Sequence, residues 1–207
     1  MSLFVMLVEG EFGIAVGTAL AARVPEVITS PFLGGLPRID EVVRRASFVG
    51  VATWRRYTEA MDELDAACTR HRVPWSSAWL DGTLLGNGPL VRADAGGPCF
   101  RCFRRRWRAH AALPEREEAL EQLYRADPAA GVPGFLPSAV AAAASGLLLD
   151  ARAPAESRGR IRIADLVSQD FEETKVVRVH GCPRCGATDG GRDRYVRALV
   201  PALREIS

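Results

Sequence analysis

Residues 3–22, LFVMLVEGEFGIAVGTALAA, decide the fold class of this chain. Residues 3–8 form a continuous apolar run, a glycine-containing turn over 9–13 follows, and residues 14–22 are apolar nearly all round. A short apolar run bounded by glycines is typical of a buried strand, and a longer one is typical of a buried helix. The segment therefore predicts a strand, a turn and a helix, all enclosed by the rest of the chain.

The same alternation continues along the first part of the sequence. Further strands are predicted over 27–29, 48–53 and 75–80, with helices over 39–45 and 55–71 between them. Strands that alternate with helices in this way indicate right-handed parallel units. Residues 1–81 are thus predicted to form a degenerate Rossmann-like half of an α/β domain with a parallel sheet.

The character of the sequence changes after Asp81-Gly82, where Gly86 and Gly88-Pro89 interrupt the apolar pattern. We expect residues 82–207 to continue the α/β domain and to carry a metal-binding lobe. Helices are predicted from Phe100 onward and over 115–124, 135–149 and 192–206. Alternating polar and apolar residues predict half-buried strands over 160–163 and 175–180.

Two Cys-x-x-Cys pairs are the most specific chemical signal in the chain: Cys99 and Cys102, and Cys182 and Cys185. Four thiolates that are presented as two closely spaced pairs can bind one zinc ion in tetrahedral geometry. The second pair, Cys-Pro-Arg-Cys-Gly, has the form of a zinc knuckle. The alternatives are ordinary thiols or disulfides, and a disulfide within such a turn usually signals redox catalysis. Because the two pairs are equivalent and account for four of the five cysteines, we predict a structural zinc site.

The fifth cysteine, Cys68, shares a helical face with Tyr57, Ala60, Met61 and Leu64, so it is interpreted as a small buried hydrophobe.

Composition places the chain among globular proteins, with 48% hydrophobic and 25% charged residues and a net charge of +2. That charge is too small to imply a nucleic-acid partner by itself. The first apolar run is too short for a signal peptide, and no run approaches the roughly 18 residues that span a bilayer. A cytoplasmic location is predicted, and its reducing conditions favour zinc over disulfides.

The turn after the first strand lies where a nucleotide-binding loop would lie. It keeps two of the three glycines of G-x-G-x-x-G, but Val8 replaces the first, and Glu9 and Glu11 would repel a phosphate. After the second strand, Ser30-Pro31 stands in place of an acidic residue that would bind a ribose. The sequence favours a retained fold whose nucleotide site has been lost.

An arginine cluster follows the first cysteine pair. Arg101, Arg104, Arg105 and Arg108 cover much of one predicted helix, whose other face carries Phe103 and Trp107. Such a surface can bind phosphate, nucleic acid or an acidic peptide, and it can also be a solvated face. We take these arginines as candidate partner-binding residues, with an acidic peptide or protein ahead of nucleic acid.

No catalytic residue can be assigned from spacing alone, because no Ser-His-Asp or paired-carboxylate arrangement is evident. His180 lies two residues before Cys182, and we expect it to lie next to the metal ligands rather than to bind the metal itself. His71 and His110 have no evident partner in the sequence.

Taken together, these motifs resemble a known family. They are similar to ThiF-like proteins of azole-forming peptide biosynthesis. The similarity is carried by the Rossmann-like opening, Pro74-Trp75, the segment from Gly88 to Val91, Gly97-Pro98 before the first cysteine pair, Arg106 and the segment from His180 to Gly186. These are the cyclodehydratase partner proteins of thiazole/oxazole-modified microcin and thiopeptide clusters, and they are distant relatives of the ubiquitin-activating enzymes.

The resemblance implies a zinc site at the four paired cysteines and a YcaO-type partner that uses ATP to convert residues of a precursor peptide into azolines. In that division of labour the ThiF-like protein presents the peptide and is not itself catalytic, so ATP on this chain is not expected. Family members often begin with a winged-helix domain that grips the leader peptide, whereas this chain begins at the first strand. The alternatives are an adenylating enzyme of the ubiquitin-activating type and a zinc-containing nucleic-acid-binding protein, and a homodimer is left open.

Overall fold

The computed structural model describes residues 3–111, 113–127, 130 and 134–186. The helix predicted over 192–206 lies outside the described residues. The strands are β1 (Phe4–Glu9), β2 (Val27–Pro31), β3 (Phe48–Thr53), β4 (Trp75–Asp81), β5 (Leu84–Asn87), β6 (Arg160–Asp165) and β7 (Phe171–Lys175). The helices are α1 (Gly10–Ala21), α2 (Ile39–Arg45), α3 (Thr58–His71), α4 (Phe100–His110), α5 (Pro114–Ala126) and α6 (Pro137–Ala151).

All the described strands belong to one seven-stranded sheet, in the order β2-β1-β3-β4-β5-β6-β7. β2, β1, β3 and β4 run parallel, with Val5 opposite Ile28 and Val49. β5, β6 and β7 then add on as antiparallel neighbours. The predicted α/β class is confirmed; the parallel arrangement covers four strands, and the other three reverse direction.

Each face of the sheet is covered by its own helices. On one face, α2, α3 and α4 enclose a core that includes Val51, Leu64 and Trp75. On the other face, α1 and α6 enclose a second core around Phe12 and Leu147. Burial on both faces explains why the central strands are apolar throughout instead of alternating.

A buried carboxylate joins the parallel and antiparallel halves. Asp150 of α6 is fully buried and accepts hydrogen bonds from Ser76 Oγ on β4 at 2.6 Å. It also accepts from Arg160 and Arg162 of β6 at 3.0 and 3.1 Å. One helix is thus fixed to two strands that lie on either side of β5.

Most predicted elements form close to their expected bounds, and those of α2 and β3 agree fully. α1 begins at Gly10, four residues before the predicted start, and α3 begins at Thr58, three residues after it. The strand predicted over 175–180 is wrong, because the strand covers Phe171–Lys175 instead. The proposed division of the chain at residue 81 stays a prediction.

Within the described ranges, we find no helix with the length and apolar character needed to span a membrane.

Candidate functional site

The two cysteine pairs meet at one place in the structure. The sulfur atoms of Cys99 and Cys182 are 3.5 Å apart, those of Cys102 and Cys185 are 3.5 Å apart, and those of Cys99 and Cys102 are 3.8 Å apart. All four sulfurs lie within 4.8 Å of one another. Four sulfurs that each bind a zinc ion at ~2.3 Å lie roughly 3.8 Å apart, so the arrangement fits a tetrahedral metal.

A disulfide needs a sulfur separation of ~2.0 Å, and all the cysteines of this structure are free thiols.

The local backbone explains how each pair is presented. Cys99 precedes α4, and the N–H of Cys102, in the first helical turn, donates to the Cys99 carbonyl at 3.0 Å. The second pair lies in a turn where the N–H of Cys182 donates to the Val179 carbonyl at 3.2 Å. Gly186 closes this turn with a φ of +61°, a conformation that side chains rarely adopt. Each pair thereby directs two sulfurs toward the same point.

Burial and backbone N–H donors shift the pKa values of these thiols in opposite directions. Burial raises the pKa of Cys99 well above its ordinary value and also raises the pKa of Cys102, although the Val179 N–H donates to the Cys102 sulfur at 3.3 Å. Burial raises the pKa of Cys182 too, but the N–H groups of Cys185 and Arg184 outweigh it and lower that pKa to about 7. A bound cation would favour the thiolate form of all four.

Two aspartates of α3 contact arginines of both cysteine-bearing segments, and the sequence alone did not reveal either of them. Asp62 accepts two hydrogen bonds from Arg101 at 2.7 and 2.6 Å, which hold its pKa below the ordinary value, and it lies 3.4 Å from Arg184 of the second knuckle. Asp65 is fully buried, accepts from Trp75 Nε1 at 3.2 Å, and lies 3.8 Å from Arg184 Nε. Burial raises its pKa to about 6. The spacing of three residues, which places both on one helical face, was the available signal.

The structure gives three of the four candidate partner-binding arginines an acidic neighbour within this chain. Arg101 pairs with Asp62, while Arg104 and Arg108 reach Glu121 and Glu118 of α5 at the longer distances of 3.8 and 3.5 Å. Arg105 is exposed and forms no ion pair with the described residues. Their role as a docking surface stays a prediction, and Arg105 is the member most available to a partner.

The turn after β1, where a nucleotide-binding loop would lie, packs against side chains of the protein itself. Gly10 has a φ of +71°, and a Cβ on it would overlap the indole ring of Trp54, which follows β3. Val8 lies in β1, and its side chain packs against α1 instead of opening a turn. Glu9 accepts a hydrogen bond from the N–H of Leu33 at 3.1 Å. The start of α1, where phosphates bind in nucleotide-binding relatives of this fold, is therefore covered by an aromatic ring.

Next to Trp54, the carboxyl edge of the parallel strands carries two arginines in aromatic surroundings. Arg55 is 2% exposed, and its guanidinium carbon lies 4.0 Å from the Trp54 ring centre and 4.3 Å from that of Tyr124 on α5. Arg56 pairs with Asp81 and with Glu117 of α5, each at 2.8 Å. Ligands of open α/β sheets bind at this edge, and here α5 and its partners cover it.

The remaining sequence candidates fall outside these sites. Cys68 is fully buried among apolar neighbours, as predicted. His180 is exposed beside the second knuckle, and His71 lies 3.1 Å from Asp40 at the surface. His110 lies at the end of α4 and borders a groove beside β7.

Comparison with solved structures finds this fold in a heterocyclase, in E. coli MccB and in a microcin synthetase complex. The heterocyclase TruD superposes with a TM-score of 0.61 at 17% identity, covering 90% of this chain and 27% of that one. E. coli MccB gives a TM-score of 0.58 at 13% identity, covering 90% of this chain and 65% of that one. A chain of the E. coli microcin synthetase McbBCD complex gives 0.57 at 11% identity, covering 87% and 67%.

These likenesses confirm the expected resemblance at the level of the fold. The chain spans about a quarter of the length of the heterocyclase chain that it matches. No protein-family model and no curated protein matches its sequence.

Proposed function

We propose that this chain is a non-catalytic, zinc-stabilised partner protein in ribosomal-peptide modification, where it supports a YcaO-type ATP-dependent azoline-forming cyclodehydratase. The fold shared with a heterocyclase and with a microcin synthetase supports the general setting. The observation that supports the non-catalytic role is the Trp54 ring, which packs against Gly10 at the loop where nucleotide-binding chains of this fold hold phosphates. A cytoplasmic location belongs to the same proposal.

A structural zinc ion would be held by Cys99, Cys102, Cys182 and Cys185. The sulfur separations of 3.5 to 3.8 Å support this set, and a four-thiolate site leaves no open position for catalysis. When bound, the ion would supply a cross-link between the start of α4 and the segment after β7. Arg101 and Arg184 would hold the same two segments against Asp62 of α3.

The surface formed by Arg101, Arg104, Arg105 and Arg108 is our candidate for contact with the cyclodehydratase or its peptide. It lies directly beside Cys182 and Pro183, so a metal-rigidified turn borders it. The long ion pairs of Arg104 and Arg108 are of the exposed kind that contributes little, and a partner's carboxylates can replace them at small cost.

An adenylating enzyme is the second candidate, and one observation favours it. A structure of E. coli MccB with AMPCPP and MccA superposes on this chain with a TM-score of 0.60 at 12% identity. Pyrophosphate exchange with ATP would be expected of an adenylating enzyme and not of a non-catalytic partner. The third candidate, nucleic-acid binding, relies on the arginines alone and predicts salt-dependent association with DNA or RNA.

The deciding experiment uses this chain together with a YcaO-type protein and the precursor peptide of that protein. We expect the chain to co-purify with the YcaO-type protein and to increase its peptide-dependent ATP hydrolysis and azoline formation, the latter read as the loss of 18 Da per ring. Azoline formation that proceeds equally without this chain would contradict the proposal. Pyrophosphate exchange by this chain alone would move the adenylating role to first place.

A further inference from the structure

One face of α5 is acidic and lies against a cationic surface of the same chain. Glu117 pairs with Arg56 at 2.8 Å, and Glu121 accepts a hydrogen bond from Thr58 Oγ1 at 3.0 Å. Two longer ion pairs, at 3.5 and 3.8 Å, join α5 to α4. The α5 cradle is the set of side chains that receive these carboxylates: Arg56, Thr58, Arg104 and Arg108.

Little apolar burial holds α5 in this cradle. None of the α5 side chains that the structure describes is buried, and Leu123 is 50% exposed. A cavity of about 40 Å³ remains between the two helices, with Leu120 of α5 on one side and Phe103 and Trp107 of α4 on the other. Helices are usually held by the packing of an apolar face, so α5 depends to an unusual degree on ion pairs that solvent and salt screen.

The cradle has the features of an anion-binding site. Thr58 is the first residue of α3, a 14-residue helix whose start has no side-chain capping hydrogen bond among the described residues. The backbone N–H groups and the dipole at a helix start attract carboxylates and phosphates, and the Glu121 carboxylate lies there. Ligands of open α/β sheets bind at this same edge of the sheet. The glutamates of α5 thus occupy positions that the carboxylates of another molecule can take.

The buried cations beside the cradle do not depend on α5 alone. Arg56 also pairs with Asp81 at 2.8 Å. The guanidinium carbon of Arg55 lies 4.0 Å from the Trp54 ring centre as well as 4.3 Å from that of Tyr124 on α5. Both guanidinium groups therefore keep a partner when α5 is displaced, and the sheet and its two cores remain intact.

We infer that α5 is a displaceable acidic strap, and that the α5 cradle binds an acidic helix of a partner protein in its place. The spacing of Glu117, Glu118 and Glu121 defines the ligand as a helix with carboxylates at positions i, i+1 and i+4. A longer apolar side chain at the position of Leu120 would fill the cavity that α5 leaves open. The assignment of the natural partner to a cyclodehydratase rests on the proposed function; the binding chemistry does not.

The test uses the full chain and a fluorescein-labelled synthetic peptide of residues 113–127, which carries the α5 sequence itself. In the unaltered chain the tethered α5 competes at a high effective concentration, so fluorescence anisotropy should show only weak binding. The double variant Glu117→Gln with Glu121→Gln weakens the tethered copy, and it should bind the peptide at least ~10-fold more tightly at low salt. The matched control, Glu26→Gln with Glu115→Gln, removes the same net charge from exposed positions outside the cradle and should leave the affinity unchanged.

Further variants and an exchange measurement locate the binding site. Added to the double variant, Arg104→Glu should abolish the gain in affinity, whereas Arg23→Glu, on the other face of the sheet, should preserve it. An isotope-labelled peptide should increase the amide hydrogen exchange of the chain's own α5, because the two helices cannot occupy the cradle together. Thermal melting monitored by circular dichroism verifies that each variant remains folded.

Equal peptide affinities of the double variant and its matched control would overturn the inference, and so would peptide binding that leaves the exchange of α5 unchanged. Two other occupants would also contradict it: pyrophosphate, if it displaces the labelled peptide at micromolar concentration, and a second copy of the chain, if α5 cross-links between copies. Stimulation of a cyclodehydratase without any change in α5 exchange would remove this inference alone. Tight peptide binding by the double variant without any effect on a cyclodehydratase would remove the proposed function alone.

Discussion

The indole ring of Trp54 packs against Gly10, at the point where a phosphate would approach the start of α1. Trp54 is only 6% exposed and also contacts Tyr57 and Tyr124, so its position is set by a cluster and not by a single contact. The glycine that nucleotide-binding chains keep for their ligand here receives a side chain of the protein itself.

We therefore expect no tight binding of ATP to this chain. Isothermal calorimetry with Mg·ATP should show a dissociation constant weaker than ~1 mM. Trp54→Ala should destabilise the fold by ~3 kcal/mol without creating ATP affinity, because Glu9 and Glu11 still place negative charge at the loop. Micromolar, magnesium-dependent binding by the unaltered chain would contradict this prediction.

The cysteine cluster predicts a single zinc ion per chain. Cys182→Ser should lose the metal and lower the melting temperature, because the turn after β7 would no longer be cross-linked to α4. Cys68→Ser is the matched control, because Cys68 is equally buried but is not one of the four clustered cysteines. Elemental analysis of both purified variants decides the point, and full zinc occupancy in Cys182→Ser would refute the assignment.

Asp65 should make stability depend on pH. Its pKa in the folded protein is about 6 against an ordinary 3.8, so the folded state holds a proton that the unfolded chain releases. The stabilisation by this proton is complete below pH 3.8 and is lost as the pH rises through 6. Relative to the unaltered chain, Asp65→Asn should gain roughly 1 to 3 kcal/mol of unfolding free energy between pH 4.5 and 7.5.

Urea denaturation of the two proteins at each pH measures that difference. Comparing them pairwise removes the effect of metal release at low pH, which both share. A difference that stays constant with pH would show that Asp65 does not titrate in this range.

Arg105 should contribute to the association with a cyclodehydratase, because it is exposed and has no acidic partner among the described residues. Arg105→Glu should weaken association with the co-purifying YcaO-type protein several-fold at low salt, and less at high salt, since exposed ion pairs are worth ~0.2 to 1 kcal/mol each. Arg23→Glu makes the same charge change at the end of α1, on the other face of the sheet. Surface plasmon resonance that gives equal affinities for both variants would exclude the arginine surface.

Replacing the buried carboxylate of Asp150 should lower the stability of the fold more than replacing an exposed carboxylate. Asp150→Asn keeps the shape but removes the buried carboxylate that Arg160 and Arg162 share, so we expect a loss of ~3 kcal/mol in unfolding free energy. Glu173→Ala removes a partly exposed partner of the same Arg162 and should cost less than ~1 kcal/mol. Equal losses in chemical denaturation would show that burial does not govern this network.

The parts of the fold that sequence predicted well are those where burial dictates composition. α2 and β3 lie between breaks in the apolar pattern, and their bounds follow from it. β7 was missed because Phe171–Lys175 is exposed throughout, so its side chains carry no alternation between apolar and polar residues. The reversal of direction after β4 was also not foreseen, because strand order is set by long-range packing and not by local pattern.

The candidate site divides in the same way. The cysteines were found because metal ligation restricts both residue type and spacing, and the structure brings all four together. Asp62 and Asp65 were missed because their importance lies in what they meet across the fold, namely Arg101, Arg184 and Trp75. Nothing in the local sequence marks Trp54 and Arg55, because their contacts depend on how the end of β3 packs beside the start of α1.

The distance in sequence between the two cysteine pairs has a consequence for how the chain matures on the ribosome. Synthesis delivers the parallel strands and the first pair early, whereas the second pair emerges only after α6 and the last strands. Two thiolates bind zinc weakly, so the first cysteine pair has an incomplete ligand set while the sheet is already forming. Capture of a metal ion by all four cysteines would then be a late event, and a nascent chain that stalls before residue 182 would lack two of the four ligands.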